Sequence, residues 1–182
     1  HNWIVADRPS DSCVALAYDQ PSRNNPQDSS WLPLHPTNLT AIDMASSSTV
    51  LCTGMSDGRV KLFYPWDGTL SRIFHAHNGG VFDIMVSPDA RYIATAGGDR
   101  RIKVWNAEDG TLAYQSPAFG GNTYGVAFSD DGAYLAGSSN SQVRLWRVNG
   151  WQEEWTSNNV ASANGDVVID PQLRWVASAR NN

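Results

Sequence analysis

The sequence predicts an all-β chain assembled from one repeated unit of four short strands. Two observations lead there. Apolar residues fall in short runs with alternating or β-branched character and almost nothing at helical spacing. The chain also matches itself at a fixed period. Residues 77–112, "HNGGVFDIMVSPDARYIATAGGDRRIKVWNAEDGTL", align without a gap on residues 35–70, "HPTNLTAIDMASSSTVLCTGMSDGRVKLFYPWDGTL", at an offset of 42. A third copy begins 42 residues further on, at Phe119, and is one residue shorter in its middle turn. A fourth starts near Val160 and stops halfway.

The elements follow in order from that period. Residues 1–34 are a partial unit, with Trp3–Ala6 expected as its second strand and the Pro- and Asn-rich stretch 20–30 as an exposed loop between its third and outer strands. Full units are expected at 35–76, 77–118 and 119–159, and 160–182 is a second partial unit ending on the second strand Trp175–Ser178. In the middle unit the apolar runs place strands at Val81–Val86, Tyr92–Thr95, Ile102–Trp105 and Thr111–Tyr114, punctuated by Pro-Asp, Gly-Gly-Asp and Asp-Gly. Four strands at this spacing, recurring at 42, point to radially repeated antiparallel sheets, the blades of a β-propeller. Helical and leucine-rich solenoids do not fit that strand content. Three full blades flanked by two partial ones end on a second strand at both sides, so simple closure of the ends is not expected. Raw sheet edges are a liability, and the missing blades are expected from further chain or from a partner subunit.

Bulk composition narrows the function classes. The 182 residues are 41% hydrophobic and 17% charged, as a folded domain is. A net charge of −5 repels phosphate backbones, so nucleic acid is not an expected partner. No apolar run is long enough to cross a bilayer as a helix, and no membrane insertion is expected. The chain begins at His1 without a leader or a methionine, as a trimmed chain or a piece of a longer one would. Two cysteines, Cys13 and Cys52, each within an apolar run, make no disulfide framework and point to an intracellular setting, cytoplasmic or nuclear. Asn38-Leu39-Thr40 fits the N-glycosylation triplet, a pattern common by chance.

The units resemble WD-repeat propeller blades. That family's pattern is a histidine opening the innermost strand, Phe-Ser-Pro-Asp-Gly, a hydroxyl residue in the second strand, an Asp in the tight turn and Trp-Asp closing the third strand. The second unit supplies His77, Ser87-Pro88-Asp89, Thr95, Asp99 and Trp105-Asn106. The resemblance runs from about residue 35 to the end, with a degenerate partial unit before it. It implies a buried relay in which the Trp N–H meets the hydroxyl, the hydroxyl meets the His, and the His meets the Asp.

His77, Thr95 and Asp99 are also the ingredients of a nucleophilic triad. Repetition decides between the two. A triad is needed once, whereas a locking network serves every blade, and His35, Thr53 and Asp57 reproduce the set 42 residues earlier. No catalytic residue is therefore assigned, and His35, Thr53, Asp57, His77, Thr95, Asp99 and Trp105 are expected to be structural. Phe63 stands at the Trp position of the first full unit. In the third unit the four positions read Phe119, Gly137, Asn140 and Trp146, so that blade is expected to rely on apolar packing.

No cofactor or metal is expected. His75-Ala76-His77 lacks a third ligand, and Arg100, Arg101 and Lys103 form only a small basic spot. Of the eight tryptophans, Trp3, Trp105, Trp146 and Trp175 are expected to pack, while Trp31, Trp66, Trp151 and Trp155 fall in outer-strand and hairpin regions. The resemblance implies where partners dock, on the rim at the start of each innermost strand and just before the turn Asp. Those positions are Asn38, Thr40 and Ser56, then Gly80, Phe82 and Gly98, then Asn122, Tyr124 and Ser139, with Phe82 and Tyr124 side by side in adjacent blades. The function expected is a non-catalytic protein–protein interaction scaffold within a larger complex. The alternatives are an enzymatic propeller, for which only Asp43, Asp83 and Asp166 offer channel acids, and a sensor or regulatory domain of a multidomain NTPase.

Overall fold

The computed structural model describes residues 3–7, 14–18, 39–45, 49–158 and 165–178. Among them every regular element is a strand. β1 (Trp3–Asp7) and β2 (Val14–Tyr18) form an antiparallel hairpin. β3 (Leu39–Met44), β4 (Leu51–Met55), β5 (Arg59–Phe63) and β6 (Leu70–His75) form the first complete sheet, in chain order. β7 (Val81–Val86), β8 (Tyr92–Gly97), β9 (Ile102–Asn106) and β10 (Leu112–Gln115) form the second. β11 (Thr123–Phe128), β12 (Tyr134–Ser139), β13 (Gln142–Arg147) and β14 (Gln152–Asn158) form the third. β15 (Val167–Ile169) and β16 (Val176–Ser178) pair as a final hairpin. The fold is all-β with four-stranded antiparallel sheets, as the period predicts. The expected loop at 20–30 lies outside the described residues.

Side chains in the turns explain the repeated triplets. In Ser87-Pro88-Asp89 the Ser87 hydroxyl donates to Asp89 Oδ1 at 2.6 Å and accepts the Tyr92 N–H at 2.9 Å, so the turn holds itself together before β8 begins. Ser129, Asp131 and Tyr134 repeat those contacts ahead of β12. The turn needs a left-handed residue, which is Gly132 in the third sheet (φ 69°) but Ala90 in the second (φ 58°). In each Asp-Gly-Thr-Leu the Asp carboxylate takes both the N–H and the hydroxyl of the Thr, through Asp67 with Thr69 and Asp109 with Thr111.

The core lies between the sheets. One cluster joins Cys52, Val60 and Leu62 of the first sheet to Val81, Ile84, Ile93 and Trp105 of the second. Another joins Ala94, Ile102 and Val104 to Phe119, Val126, Leu135 and Trp146, and a third joins Ala127, Ala136 and Val143 to Val167. The second strands are accordingly buried: β4 throughout, β8 and β12 at all but their first residue.

Innermost strands pair on one side only, so their free N–H groups need other partners. The preceding sheet supplies them. Asp43 Oδ2 accepts the Val86 N–H at 2.7 Å, Asp83 Oδ2 accepts that of Val126 at 2.8 Å, and Met85 Sδ lies 3.3 Å from the Phe128 nitrogen. Asp83 Oδ1 also takes the Ile84 N–H at 2.8 Å. Burial raises the Asp83 carboxyl to about 6, with the charges of Asp166 and Asp43 adding to the rise and the backbone N–H bonds opposing it. Asp43 is also raised, chiefly by burial.

Folding therefore favours protonated Asp83. Its contribution to stability is fully present below the unfolded value of 3.8 and is lost as pH rises through about 6. The free energy of unfolding is expected to fall as pH rises from about 4 through about 6, read by calorimetry across the pH range. Asp83→Asn turns an amide N–H toward one of the two backbone N–H groups that Asp83 accepts, so it is expected to cost about 1–3 kcal/mol while flattening that pH dependence.

Candidate functional site

In the second sheet the repeated polar residues meet in a closed chain of hydrogen bonds. His77 enters from the loop before β7, Thr95 lies in β8, Asp99 in the β8–β9 turn and Trp105 in β9. Trp105 Nε1–H donates to Thr95 Oγ1 at 3.0 Å. Thr95 Oγ1 lies 2.8 Å from His77 Nε2, and His77 Nδ1 lies 2.7 Å from Asp99 Oδ1. With indole a pure donor and carboxylate a pure acceptor, the protons run one way: Trp105 to Thr95, Thr95 to His77, His77 to Asp99. Lys103, which the sequence reading put in a basic spot, closes the far end by donating to Asp99 Oδ2 at 2.8 Å and to the Ala76 carbonyl at 2.7 Å.

Burial depresses the His77 imidazole below its ordinary value despite Asp99 beside it. Burial raises Asp99, but the bonds from His77 and Lys103 outweigh it and hold that carboxyl well below the usual carboxylate range. His77 and Thr95 are wholly buried. The sealed hydroxyl leaves no room beside it for a substrate carbonyl or phosphoryl group, and the bonds tie the loop before β7 to β8 and β9.

The other sheets differ. In the first, Thr53 is buried and its hydroxyl has no hydrogen-bond partner among the described residues, while His35 lies outside them. Asp57 accepts the Arg59 N–H at 3.1 Å, and Phe63 is buried at the Trp position. In the third, Gly137 offers no hydroxyl and the buried Trp146 Nε1–H is left without a well-formed hydrogen bond among the described residues. Apolar packing is not the whole of that sheet's closure. Arg144, nine-tenths buried, lies with its guanidinium 4.3 Å from the centroid of Phe119, the residue at the His position. The same group reaches the carbonyls of Pro117 and Ala118 at 3.5 and 3.3 Å and Gln142 Oε1 at 3.2 Å. Sequence reasoning missed Arg144, although it stands 41 positions after Lys103 in the shortened third unit.

The rim positions are set by a repeated bulge. In each complete sheet the innermost strand slips register against its neighbour once, across Leu39/Ala41, Val81/Asp83 and Thr123/Gly125, and the skipped residues are Thr40, Phe82 and Tyr124. A bulge re-aims the side chain it carries. Phe82 and Tyr124 stack with centroids 5.3 Å apart and planes 22° from parallel, and Phe82 is 37% exposed. Thr40 Oγ1 lies 3.0 Å from the Gly54 carbonyl and 2.5 Å from that of Val81. Ser56 is exposed and Asn122 half-buried. Ser139 does not reach the rim: it is fully buried and its hydroxyl turns to the Gln142 carbonyl, 3.3 Å away, because it is the last residue of β12 and stands in register with the buried Gly97 and Met55, not with Gly98 and Ser56. Asn38 lies outside the described residues.

Remaining candidates also find their places. Asp43 and Asp83 hold backbone N–H groups, and Asp166 is exposed near them. His75 is exposed on β6 while His77 is locked in the relay. Among the described residues no three His, Cys, Asp or Glu side chains gather to hold a metal ion. Cys52 is a buried free thiol. Trp175 was expected to pack, yet it is 52% exposed, because β16 has no further strand against it among the described residues. No helix among them is long and apolar enough to cross a membrane.

Comparison with known proteins agrees with this geometry. The WD40 family model, described as "WD domain, G-beta repeat", matches residues 27–64, 68–106 and 117–147. No curated protein matches the chain. Among solved structures, that of U3-55K superposes with a TM-score of 0.70 at 17% identity, over 75% of this chain and 44% of that one. The crystal structure of RRP9 WD40 repeats gives a TM-score of 0.70 at 18% identity, over 75% of this chain and 43% of that one. At such identities the likeness shows the fold, and the chain spans less than half of either relative.

Two substitutions test the closures. Asp99→Asn removes an acceptor that holds His77 and Lys103, and is expected to cost about 2 kcal/mol in urea unfolding at neutral pH. Because Asp99 is held low, its contribution is present above the ordinary carboxylate value and lost as pH falls, so the deficit should narrow in acid. Arg144→Met strips the carbonyls of Pro117 and Ala118 of their donor and is expected to cost about 1–3 kcal/mol. Faster amide exchange should follow in β13 but not in β9.

Proposed function

We propose that the chain, which belongs to the WD40 family, is a non-catalytic scaffold that docks other polypeptides within a larger complex. The observation that carries this reading is the stacked pair Phe82 and Tyr124, placed by matching bulges in adjacent innermost strands. Exposed aromatics fixed by the backbone supply contact area at little entropic cost, which is how docking anchors work. Ser56, Thr40 and Asn122 stand at neighbouring rim positions and supply polar contacts for a peptide backbone. Ser139 is left out of this set because it is buried.

The sealing of Thr95 and His77 supports a role without catalysis, and the use of Asp43 and Asp83 as acceptors between sheets argues against a channel active site. The negative net charge supports protein rather than nucleic-acid partners. A buried free thiol at Cys52 supports an intracellular setting, cytoplasmic or nuclear.

The test is quantitative affinity capture with the wild-type chain and the double variant Phe82→Ala, Tyr124→Ala. Partner recovery is expected to fall about tenfold or more while the melting temperature stays unchanged. Equal recovery by the two proteins would remove the aromatic pair as the anchor.

A further inference from the structure

Along the three complete sheets one position of the innermost strand reads Asp43, Met85 and Ala127, spaced by 42 residues. The backbone N–H groups held from it on the next sheet are those of Val86 and Phe128, also 42 apart. Asp43 Oδ2 accepts the first at 2.7 Å, and Met85 Sδ lies 3.3 Å from the nitrogen of the second. A thioether thus does at one joint what a carboxylate does at the joint before it. Sulfur is the poorer acceptor, so Phe128 rests its N–H on the weakest of the three acceptors that Asp43, Asp83 and Met85 supply.

The surroundings of Met85 leave room for chemistry at that sulfur. The side chain is half-buried and packs against both apolar clusters of the third sheet. It also lines an open cleft of about 370 Å³, walled by Asp43, Asp83, Val126, Asp130 and Asp166. A small uncharged oxidant enters such an acidic cleft without the repulsion that an anion meets. Met55, by contrast, is wholly buried in β4. Met44 stands one residue beyond Asp43, at the position of Val86 and Phe128, so its thioether is no counterpart of the Asp43 carboxylate.

We propose that Met85 is a site of reversible oxidation by hydrogen peroxide, and that the oxygen it gains takes over the Phe128 N–H. A sulfur lone pair attacks one peroxide oxygen, so the S–O bond forms as the O–O bond breaks. The departing hydroxide takes the proton of the transferred oxygen and leaves as water; sulfur is oxidised by two electrons and the peroxide reduced by two. Reversal returns two electrons and two protons from the thiols of a methionine sulfoxide reductase, and the oxygen leaves as water. Sulfoxidation of a core methionine ordinarily disrupts packing because the new oxygen has no partner. Here a donor already points at the sulfur. The oxygen lies one bond further from the backbone than Asp43 Oδ2, and the unbranched side chain draws back into the cleft to make room for it. Oxidation therefore strengthens the hydrogen bond between β7 and β11, the strands that carry Phe82 and Tyr124. The proposal rests on that bond and not on the docking role of the aromatic pair.

The test treats the whole chain, labelled with nitrogen-15, with hydrogen peroxide and maps its peptides by mass spectrometry. Met85 is expected to gain one oxygen at least about tenfold faster than the sealed Met55. In step with that gain the Phe128 amide proton should move downfield and exchange about threefold more slowly. The two epimer-specific methionine sulfoxide reductases should return both readings to their starting values. Met85→Leu keeps the volume and removes the reacting atom, so peroxide should then leave Phe128 unchanged even when Met44 is oxidised. If that variant fails to fold, the reductase reversal on the wild-type chain decides. Oxidation of Met85 no faster than that of Met55, or only once the chain has unfolded, would overturn the site. An oxidised Met85 with the Phe128 amide unmoved, or exchanging faster, would overturn the transfer of the bond.

Discussion

A sheet of four short strands cannot hide both faces of its own second strand; only a neighbouring sheet on each side can. The rest of the molecule depends on that packing constraint. β4, β8 and β12 are buried almost end to end, and each apolar cluster draws its members from two adjacent sheets. The same stacking pulls polar groups into a dry interface, where each needs a partner of its own. The second sheet meets the need with a one-way chain of donors from Trp105 to Asp99. The third meets it with a guanidinium laid on an aromatic face and aimed at carbonyls. Two chemistries answer one geometric demand.

The buried charges in these interfaces respond to pH in opposite senses. Burial depresses His77, and its bonded partners hold Asp99 low, so the relay is strongest when the imidazole is neutral and the carboxylate ionised. Between the innermost strands, burial raises Asp83 and Asp43, so those contacts carry least electrostatic strain when the acids are protonated. The channel acids remain useful all the same, because the free N–H groups of each innermost strand would otherwise face a narrow space without acceptors.

Much of this was legible in the sequence because it is periodic. A fixed offset of 42 placed every complete sheet, and β7 runs over the very residues the apolar pattern marks, while β8 continues two residues past Thr95 because Ala96 and Gly97 are enclosed by the neighbouring sheet. The side-by-side placement of Phe82 and Tyr124 followed from equivalence alone. What escaped is what breaks the period. Ser139 looked like a rim residue because the one-residue deletion was counted before it, whereas it follows Ser139 and leaves that residue in the buried register of Gly97. Arg144 drew no reading from the sequence, since nothing in its neighbours announces an aromatic partner 25 positions earlier. Trp151 was assigned to a hairpin, yet its ring is a packing element, because the turn holds it at φ 52° and swings it across the junction. Bulges, too, leave no mark in composition, though they decide where Thr40, Phe82 and Tyr124 point.

The clasps made by Asp43, Asp83 and Met85 run the same way, with the acceptor on the earlier sheet and the N–H on the later one. The array therefore has a chemical polarity, like a row of hooks and eyes. A blade inserted back to front would present donors to donors and forfeit every one of these bonds, although its shape and greasiness were unchanged. The order of the sheets is thus carried in part by hydrogen-bond sense, beside the fit of their apolar faces.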